Sequence, residues 1–203
     1  MGIKERRGRE EQARLAAILA AAESVFAQKG YFETRMDDIA EKAELAKGTL
    51  YYYFKSKNEI VIHLLEREAA KVHEEIKSRV PAGASFLETL EIVMNFSVEY
   101  FEANKAFLRI FLPCMCGLIQ PGDDRKMRRS RQSYDRHADF IRRVLHKAIQ
   151  KERLPFSLNS LSKFLKTMEL GIGLRILEGN SADARATADF FLTTIKKAME
   201  KHV

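Results

Sequence analysis

The sequence predicts an all-α fold of about nine helices, in which a short N-terminal three-helix unit precedes a larger helical domain. Apolar residues recur at intervals of three and four along most of the 203-residue chain, which is the period of an amphipathic helix. Four prolines and ten glycines are too few for the frequent turns of an all-β protein. Apolar runs stay short of the roughly eighteen residues that span a bilayer, so a membrane-spanning helix is not expected.

The first helix is predicted to end at Gly30, because a glycine after a basic last turn is a common helix stop. Residues 1–10 are charged and precede the apolar stripe, so they are expected to form a flexible tail. Two short helices then follow, the first capped by the Thr34 hydroxyl and the second over residues 47–53. The apolar stripe of the first helix consists of Leu15, Ile18, Ala22 and Val25.

The fourth helix is expected to begin at a capping box, with Ser56 as the cap and Glu59 as its partner, and to end before Pro81. Residues that end helices at little cost separate the later periodic stretches. Those stretches predict helices over 86–103, 105–119, 126–152, 158–178 and 183–201.

Residues 36–53 have the pattern of a helix-turn-helix, in which two short helices meet steeply and the second is free to enter the major groove of DNA. Ala40 is small enough for the closest approach of the two helices. The chain is accordingly divided into a helix-turn-helix domain at 1–56 and a helical ligand-binding and dimerisation domain at 57–203. The expected contacts between the two short helices are Ile39, Ala43, Leu45, Leu50 and Tyr53.

The run 18–60 resembles the tetracycline-repressor (TetR) family, most clearly in the consecutive string Lys-Gly-Thr-Leu-Tyr-Tyr-Tyr-Phe-Lys-Ser-Lys at 47–57. The resemblance covers about the first sixty residues, and beyond them only the number and length of helices match. It implies a homodimeric, ligand-responsive transcriptional repressor that binds operator DNA, has no catalytic activity and needs no cofactor. Some relatives activate transcription instead. Other matching positions are Phe26, Gly30, Tyr31, Thr34, Ile39, Ala40 and Ala43.

Two positions depart from the family pattern. Glu44 stands in the turn where the family usually has glycine, and a left-handed conformation there costs about 1 kcal/mol for a residue with a Cβ. Ala46 stands where a serine often caps the recognition helix. Both departures concern the geometry and stability of the turn rather than the presence of the motif.

The recognition helix supplies most of the predicted DNA contacts. Lys47 can reach a guanine edge or a phosphate, and Gly48 allows the backbone to approach DNA closely. Thr49 suits a thymine methyl or a phosphate. Tyr51 and Tyr52 carry hydroxyls suited to the sugar–phosphate backbone, because consecutive aromatic residues cannot all face inward on one helix.

Residues beside this helix complete the predicted set. Thr34 and Lys57 are assigned to helix N-termini, where backbone N–H groups and the helix dipole favour a phosphate. Arg35 is a further candidate for backbone contact. Tyr53 and Phe54, in contrast, are expected in the core.

The region 86–119 is rich in bulky apolar side chains of the kind that line small-molecule pockets. The same residues would suit a plain helical core, and it is the family resemblance that implies a cavity between helices. The expected effector is small and largely apolar or amphipathic. The candidate pocket residues are Met94, Tyr100, Phe101, Phe107, Phe111, Met115, Phe164 and Met168.

The chain has a net charge of +7, but the excess positive charge lies mainly outside the helix-turn-helix. Residues 1–57 carry eleven Lys and Arg against nine Asp and Glu, whereas residues 125–153 carry eleven against three. A basic helix beside an aromatic pocket would suit an acyl-coenzyme A or a fatty acid. A solvated face that raises solubility explains the same charges.

The last two helices have matching apolar stripes, and two glycines inside the first of them suggest a close helix approach at about 1 kcal/mol each. Together with the resemblance, these stripes predict a two-fold, four-helix dimer interface within 158–201. The expected interface residues are Leu161, Leu165, Met168, Ile172, Phe191 and Ile195.

Two other classes of protein are alternatives to a DNA-binding regulator. Scattered histidines and the lack of a phosphate-cradling glycine loop argue against an enzyme or a metal protein. A basic helical protein that binds RNA or an anionic surface without sequence specificity remains the alternative. Cys114 and Cys116 are too close for an easy disulfide and suggest a reducing, cytoplasmic location, with a soft-metal or redox role left open.

Overall fold

A computed structural model shows an all-α protein and confirms the predicted fold class. It describes residues 2–116, 124–149 and 154–201, with backbone alone at 3, 4 and 124–134. No helix among these residues has both the length and the apolar character needed to cross a membrane. The described ranges contain nine helices: α1 (Ile3–Glu33), α2 (Met36–Lys42), α3 (Lys47–Tyr53), α4 (Lys57–Arg79), α5 (Phe86–Ala103), α6 (Lys105–Met115), α7 (Asp124–Ala148), α8 (Leu158–Leu177) and α9 (Ser181–Glu200).

Helix α1 begins much earlier than the sequence predicts. Its first residue is Ile3, so the expectation of a flexible tail at residues 1–10 is wrong for the described part of that segment. The segment is rich in Glu and Arg, which are good helix formers, and it continues the helix without a proline. The other end agrees with the prediction, because Gly30 has a φ of 76° and breaks the helical path before a last turn at 31–33.

Helices α2 and α3 form the predicted wedge against α1. Ile39, Ala40 and Leu50 are buried, and Leu45 packs against the same core. Glu44, in the turn, has a φ of 55°, the left-handed conformation that its departure from glycine implied. Ala46 precedes α3 and provides no side-chain cap, also as expected.

Two hydrophobic cores lie along the chain, and α4 joins them. Its first half, including Ile60 and Leu64, packs with α1, α2 and α3, whereas Ile76 near its end packs with α5 and the later helices. Ile110 of α6 also enters the first core. The boundary predicted at residue 56 therefore precedes side chains that complete the core of the N-terminal unit.

The cap of α4 differs in one detail from the prediction. The Ser56 hydroxyl accepts the N–H of Glu59 at 3.4 Å, as a capping residue should. In a capping box the Glu59 carboxylate would accept the N–H of Ser56. Here it accepts the N–H of Lys55, one residue earlier, at 2.8 Å.

Candidate DNA-contact surface and ligand cavity

The surface of α3 presents most of the side chains that were predicted to contact DNA. Tyr51 and Tyr52 are 44% and 73% exposed, while Phe54 is 1% exposed and closes the core below them. Tyr53 is half-buried, and its ring meets that of Tyr52 edge-on. The expected division into two outward and two inward aromatics is therefore found in the structure.

Lys47 is exposed and paired with an acidic residue of the preceding helix. Its Nζ lies 2.6 Å from Oδ2 of Asp37, and this hydrogen bond raises the pKa of the lysine. Exposed ion pairs contribute little to stability, because solvent and salt screen them. Lys47 can therefore exchange Asp37 for a phosphate or a base at little cost.

Lys57 is the first residue of α4, as predicted, but its side chain is used inside the protein. Its Nζ donates to the backbone carbonyls of Tyr31, Phe32 and Thr34 at 2.8–2.9 Å, and it lies 4.4 Å from the centre of the Tyr31 ring. The ammonium thus satisfies the carbonyls at the end of α1, which would otherwise lack partners. Desolvation in this position lowers the pKa of Lys57.

Thr34 is also used inside the protein. It is 1% exposed, and its hydroxyl donates to the carbonyl of Gly30 at 2.6 Å. The N-cap of α2 is Arg35 rather than Thr34, so the predicted capping and DNA-contact roles of the Thr34 side chain are wrong. Arg35 itself is exposed, and its N–H donates to the Asp38 carboxylate at 2.7 Å.

A cavity lies between α4, α5, α6, α7 and α8. The cavity volume is about 70 Å³, which is smaller than the roughly 300–1,000 Å³ of typical small-molecule sites, so an effector has to move the side chains that line it. Five of the predicted pocket residues line it: Tyr100, Phe101, Phe107, Phe111 and Met115. The lining is completed by Leu65, Glu68, Ala69, Val72, Phe96, Ser97, His137 and Glu169.

Three predicted pocket residues lie elsewhere. Met94 is 1% exposed and is part of the packed core, and Met168 packs against that core from the side. Phe164 is 53% exposed and its ring stacks on Phe191 at 5.4 Å. Apolar composition alone does not distinguish cavity walls from solid core, and these residues were placed in the pocket on composition.

Glu68 connects the cavity to α1 through a chain of polar contacts. Its carboxylate accepts the Tyr100 hydroxyl at 2.7 Å, Lys71 Nζ at 2.6 Å and Arg67 Nε at 3.2 Å. Arg67 also donates to Glu23 of α1 at 2.5 Å. Burial opposes ionisation of Glu68, but the hydrogen bonds from Lys71 and Tyr100 outweigh it and lower the pKa of the carboxyl.

A second polar group lies on the opposite side of the cavity. Glu169 is 6% exposed, accepts the Ser97 hydroxyl at 3.1 Å and lies 3.5 Å from Nε2 of His137. The other ring nitrogen of His137 is 3.1 Å from Nε2 of His73, whose ring stacks on Phe140. Burial lowers the pKa of His73 to about 4, with the neighbouring His137 adding to the effect, so His73 is neutral at pH 7.

Neither carboxylate was predicted to line a site, although each interrupts an apolar stripe. Glu68 lies between Leu65 and Val72 at helical spacing, and Glu169 lies between Leu165 and Ile172. A charged residue on the inward face of a helix is costly unless it is paired or serves a site. That irregularity in an otherwise regular pattern was the available signal.

The predicted dimer interface is buried within the single chain. Leu161, Leu165, Ile172 and Phe191 are at most 8% exposed and belong to the core of the larger domain. Met168 and Ile195 pack against the same core. These apolar stripes pack within the chain, against α5, α6 and α7 or against each other.

Other faces of α8 and α9 carry apolar side chains that are exposed. Phe164, Leu174 and Phe190 are 53%, 51% and 75% exposed. Gly171 is also on the surface, and a Cβ added there would meet nothing within 4 Å. Gly173, by contrast, is explained inside the chain, because its added Cβ would lie 3.0 Å from the Leu108 side chain.

The described residues contain no cluster of three or more metal-ligating side chains. Seven of the eleven Lys and Arg side chains in the basic stretch 125–153 lie outside the described residues. Two short helices, α2 and α3, pack together against α1, and the outer face of α3 is exposed. This arrangement defines a helix-turn-helix DNA-binding protein.

Comparison with known proteins agrees with this class. Residues 18–64 match the model of the bacterial regulatory proteins of the tetR family. The HTH-type transcriptional regulator YvdT of Bacillus subtilis is 29% identical over 143 residues, which are 70% of this chain and 71% of the relative. The fatty acid metabolism regulator protein of the same organism is 30% identical over 102 residues, 49% of this chain and 53% of the relative.

A solved structure shows the same fold over most of the chain. The transcriptional regulator FadR from Bacillus subtilis, in complex with stearoyl-CoA, superposes with a TM-score of 0.70 at 16% identity, covering 87% of this chain and 97% of that one. Residues 18–64 are thus the DNA-binding region of the tetR family of bacterial transcriptional regulators, and the rest of the chain has the same fold as a solved regulator of similar length.

Proposed function

We propose that the protein is a repressor that binds a two-fold operator with the exposed face of α3 and leaves it when an effector occupies the cavity. The observation that carries this proposal is the outward display of Lys47, Gly48, Tyr51 and Tyr52 on a helix whose other face is buried. Two such helices in a dimer would enter major grooves about 34 Å apart. Action on DNA also implies the cytoplasmic location predicted from the sequence.

Operator selection from random DNA tests this role directly. We expect one palindromic sequence to be enriched, and we expect Lys47→Ala and Tyr52→Ala each to weaken its binding by roughly 10-fold, because each removes a contact worth about 1–3 kcal/mol. Gel-shift titration at fixed salt measures the effect. Lys55→Ala is the control, since its Nζ is held by the carbonyl of Tyr51. Equal binding of all sequences, unaffected by either substitution, would instead indicate the nonspecific basic protein.

We infer that the effector is a small molecule with a substantial apolar part. Aromatic side chains of α5 and α6 form much of the cavity wall. The stearoyl-CoA in the FadR structure supports an acyl chain as one form of that apolar part. The described lining includes Glu68 and Glu169 but neither Lys nor Arg, and this disfavours a free fatty-acid carboxylate inside the cavity.

Two physical connections support communication between the cavity and the DNA-binding unit. Phe107, Phe111 and Met115 line the cavity and also pack against the N-terminal core. The polar chain from Tyr100 through Glu68 and Arg67 reaches Glu23 on α1. A ligand that displaces the Tyr100 ring would break the first bond of this chain and change the position of α4 relative to α1.

A double-mutant cycle tests the polar chain without a known effector. We expect Glu23→Gln and Tyr100→Phe to affect operator affinity non-additively, with a coupling of about 0.5–2 kcal/mol, because both change the same hydrogen-bonded network. Fluorescence anisotropy with operator DNA measures each variant.

The control cycle pairs Glu23→Gln with Glu99→Gln. Glu99 of α5 forms an exposed ion pair with Arg79 of α4, outside the hydrogen-bonded network that reaches Glu23, so this pair should be additive. Additivity in both cycles would remove the proposed connection between the cavity and α1.

We also propose that dimerisation uses the exposed apolar face of α8 and α9, which contains Phe164, Gly171, Leu174 and Phe190. A glycine inside a helix costs about 1 kcal/mol relative to alanine, and no contact within the chain requires Gly171. Close approach of a second copy would account for both the glycine and the exposed rings.

A further inference from the structure

Among the described residues, the polar groups that line the cavity offer hydrogen-bond acceptors and almost no free donors. The Tyr100 hydroxyl proton is donated to Glu68. The Ser97 hydroxyl has one proton and two acceptors in reach, the Val93 carbonyl at 3.0 Å and the Glu169 carboxylate at 3.1 Å. What remains for a ligand is the lone pairs of carboxylate and hydroxyl oxygens.

His137 adds no free hydrogen-bond donor to the described lining. Its Nδ1 lies 3.1 Å from Nε2 of His73, so a single proton serves both nitrogens when the two rings are neutral. Its Nε2 points to Glu169 at 3.5 Å. Both nitrogens are therefore engaged within the protein, and neither is free to donate to a ligand carboxylate.

The two carboxylates differ in how well their charges are compensated. Glu68 holds Lys71 and Arg67 at hydrogen-bond distance in addition to the Tyr100 hydroxyl. Glu169 has a hydroxyl and, at a longer distance, one imidazole. A buried carboxylate is costly unless its charge is well compensated, and His137, the nitrogen-bearing side chain beside Glu169, lies at 3.5 Å, so a closer positive or N–H-donating group would stabilise Glu169 further.

We propose that the cavity binds an amphipathic cation, with an ammonium or related N–H donor at Glu169 and Ser97 and an apolar body against the rings of Phe107 and Phe111. This inference rests on the proposed role of the cavity as the effector site. A ligand of this kind would donate hydrogen bonds to the acceptors of the described lining, which has almost no free donors of its own. Its positive charge would balance the negative charge of Glu169. The aromatic walls add favourable contact with both the hydrocarbon and the cation.

Three ligands of one chain length test the head-group preference. Calorimetric titration of the full-length protein at pH 7.5 should give the order octylamine, then octan-1-ol, then octanoate, with octylamine at least 10-fold tighter than octanoate. Glu169→Gln should reduce that ratio to about 2-fold or less, whereas Glu169→Asp should preserve the order. Glu178→Gln is the matched control, because it makes the same change on the exposed end of α8.

The outcomes separate this inference from the proposed function. Tighter binding of octanoate or lauroyl-CoA than of octylamine, no binding of octylamine, or an unchanged ratio in Glu169→Gln would overturn the amphipathic-cation assignment. Gel shifts with the selected operator, run on the same preparations, report the regulatory role independently. Loss of specific DNA binding there would refute the repressor, whatever the ligand order.

Discussion

Replacing Phe190 with aspartate is expected to convert the protein from a dimer to a folded monomer and to weaken operator binding by at least 100-fold. The ring is 75% exposed and contributes little to the core of its own chain. A buried charge in an otherwise apolar interface would have no partner and would oppose association. Operator affinity should fall because the second half-site contact is no longer intramolecular.

The adjacent residue provides a matched control. Phe191 is 8% exposed and stacks on Phe164, so Phe191→Asp should unfold the larger domain rather than separate two folded chains. Sedimentation velocity reports the oligomeric state, and circular dichroism reports helix content for both variants. A dimeric Phe190→Asp variant with normal operator affinity would rule out this face as the interface.

Gly48→Glu is expected to abolish specific operator binding, with a loss of at least 100-fold, while the fold stays intact. Gly48 lies in α3, is exposed, and an added Cβ would meet nothing within 4 Å. No part of the protein therefore requires glycine there. A longer, negatively charged side chain would face the phosphates that the surface of α3 is proposed to approach.

Substitution of Gly48 by a better helix former is expected to raise the stability of the protein, whereas a bulky acidic side chain there is expected to weaken DNA binding. Gly48→Ala should stabilise the protein by about 0.5–1 kcal/mol, because alanine is the better helix former. Chemical denaturation measures that gain, and gel shifts measure affinity. Ala70→Glu on the exposed surface of α4 controls for the added negative charge. If Gly48→Glu bound the operator within 3-fold of the unaltered protein, α3 would not be the contact helix.

Much of the DNA-contact surface could be predicted from the sequence because it depends on local geometry. The period of apolar residues located α2 and α3, and consecutive aromatics on one helix cannot share a face, so Tyr51 and Tyr52 had to point outward. Lys57 could not be assigned in this way. Its carbonyl partners at the end of α1 are about 25 residues distant, and only the folded chain brings them to its ammonium.

The all-α class, the positions of most helices and the helix-turn-helix follow from local patterns in the sequence. Which apolar side chains surround a cavity, which carboxylates enter it and which faces of α8 and α9 remain exposed depends on how the helices pack. Neighbouring helical positions differ by about 100° in direction, so Phe190 and Phe191 cannot share a face, and the period of apolar residues placed Phe191 on the apolar stripe. The period does not tell whether that stripe packs against the chain's own core or against a second copy. That choice depends on where α5 and α8 lie beside α9, which is a property of the packed molecule.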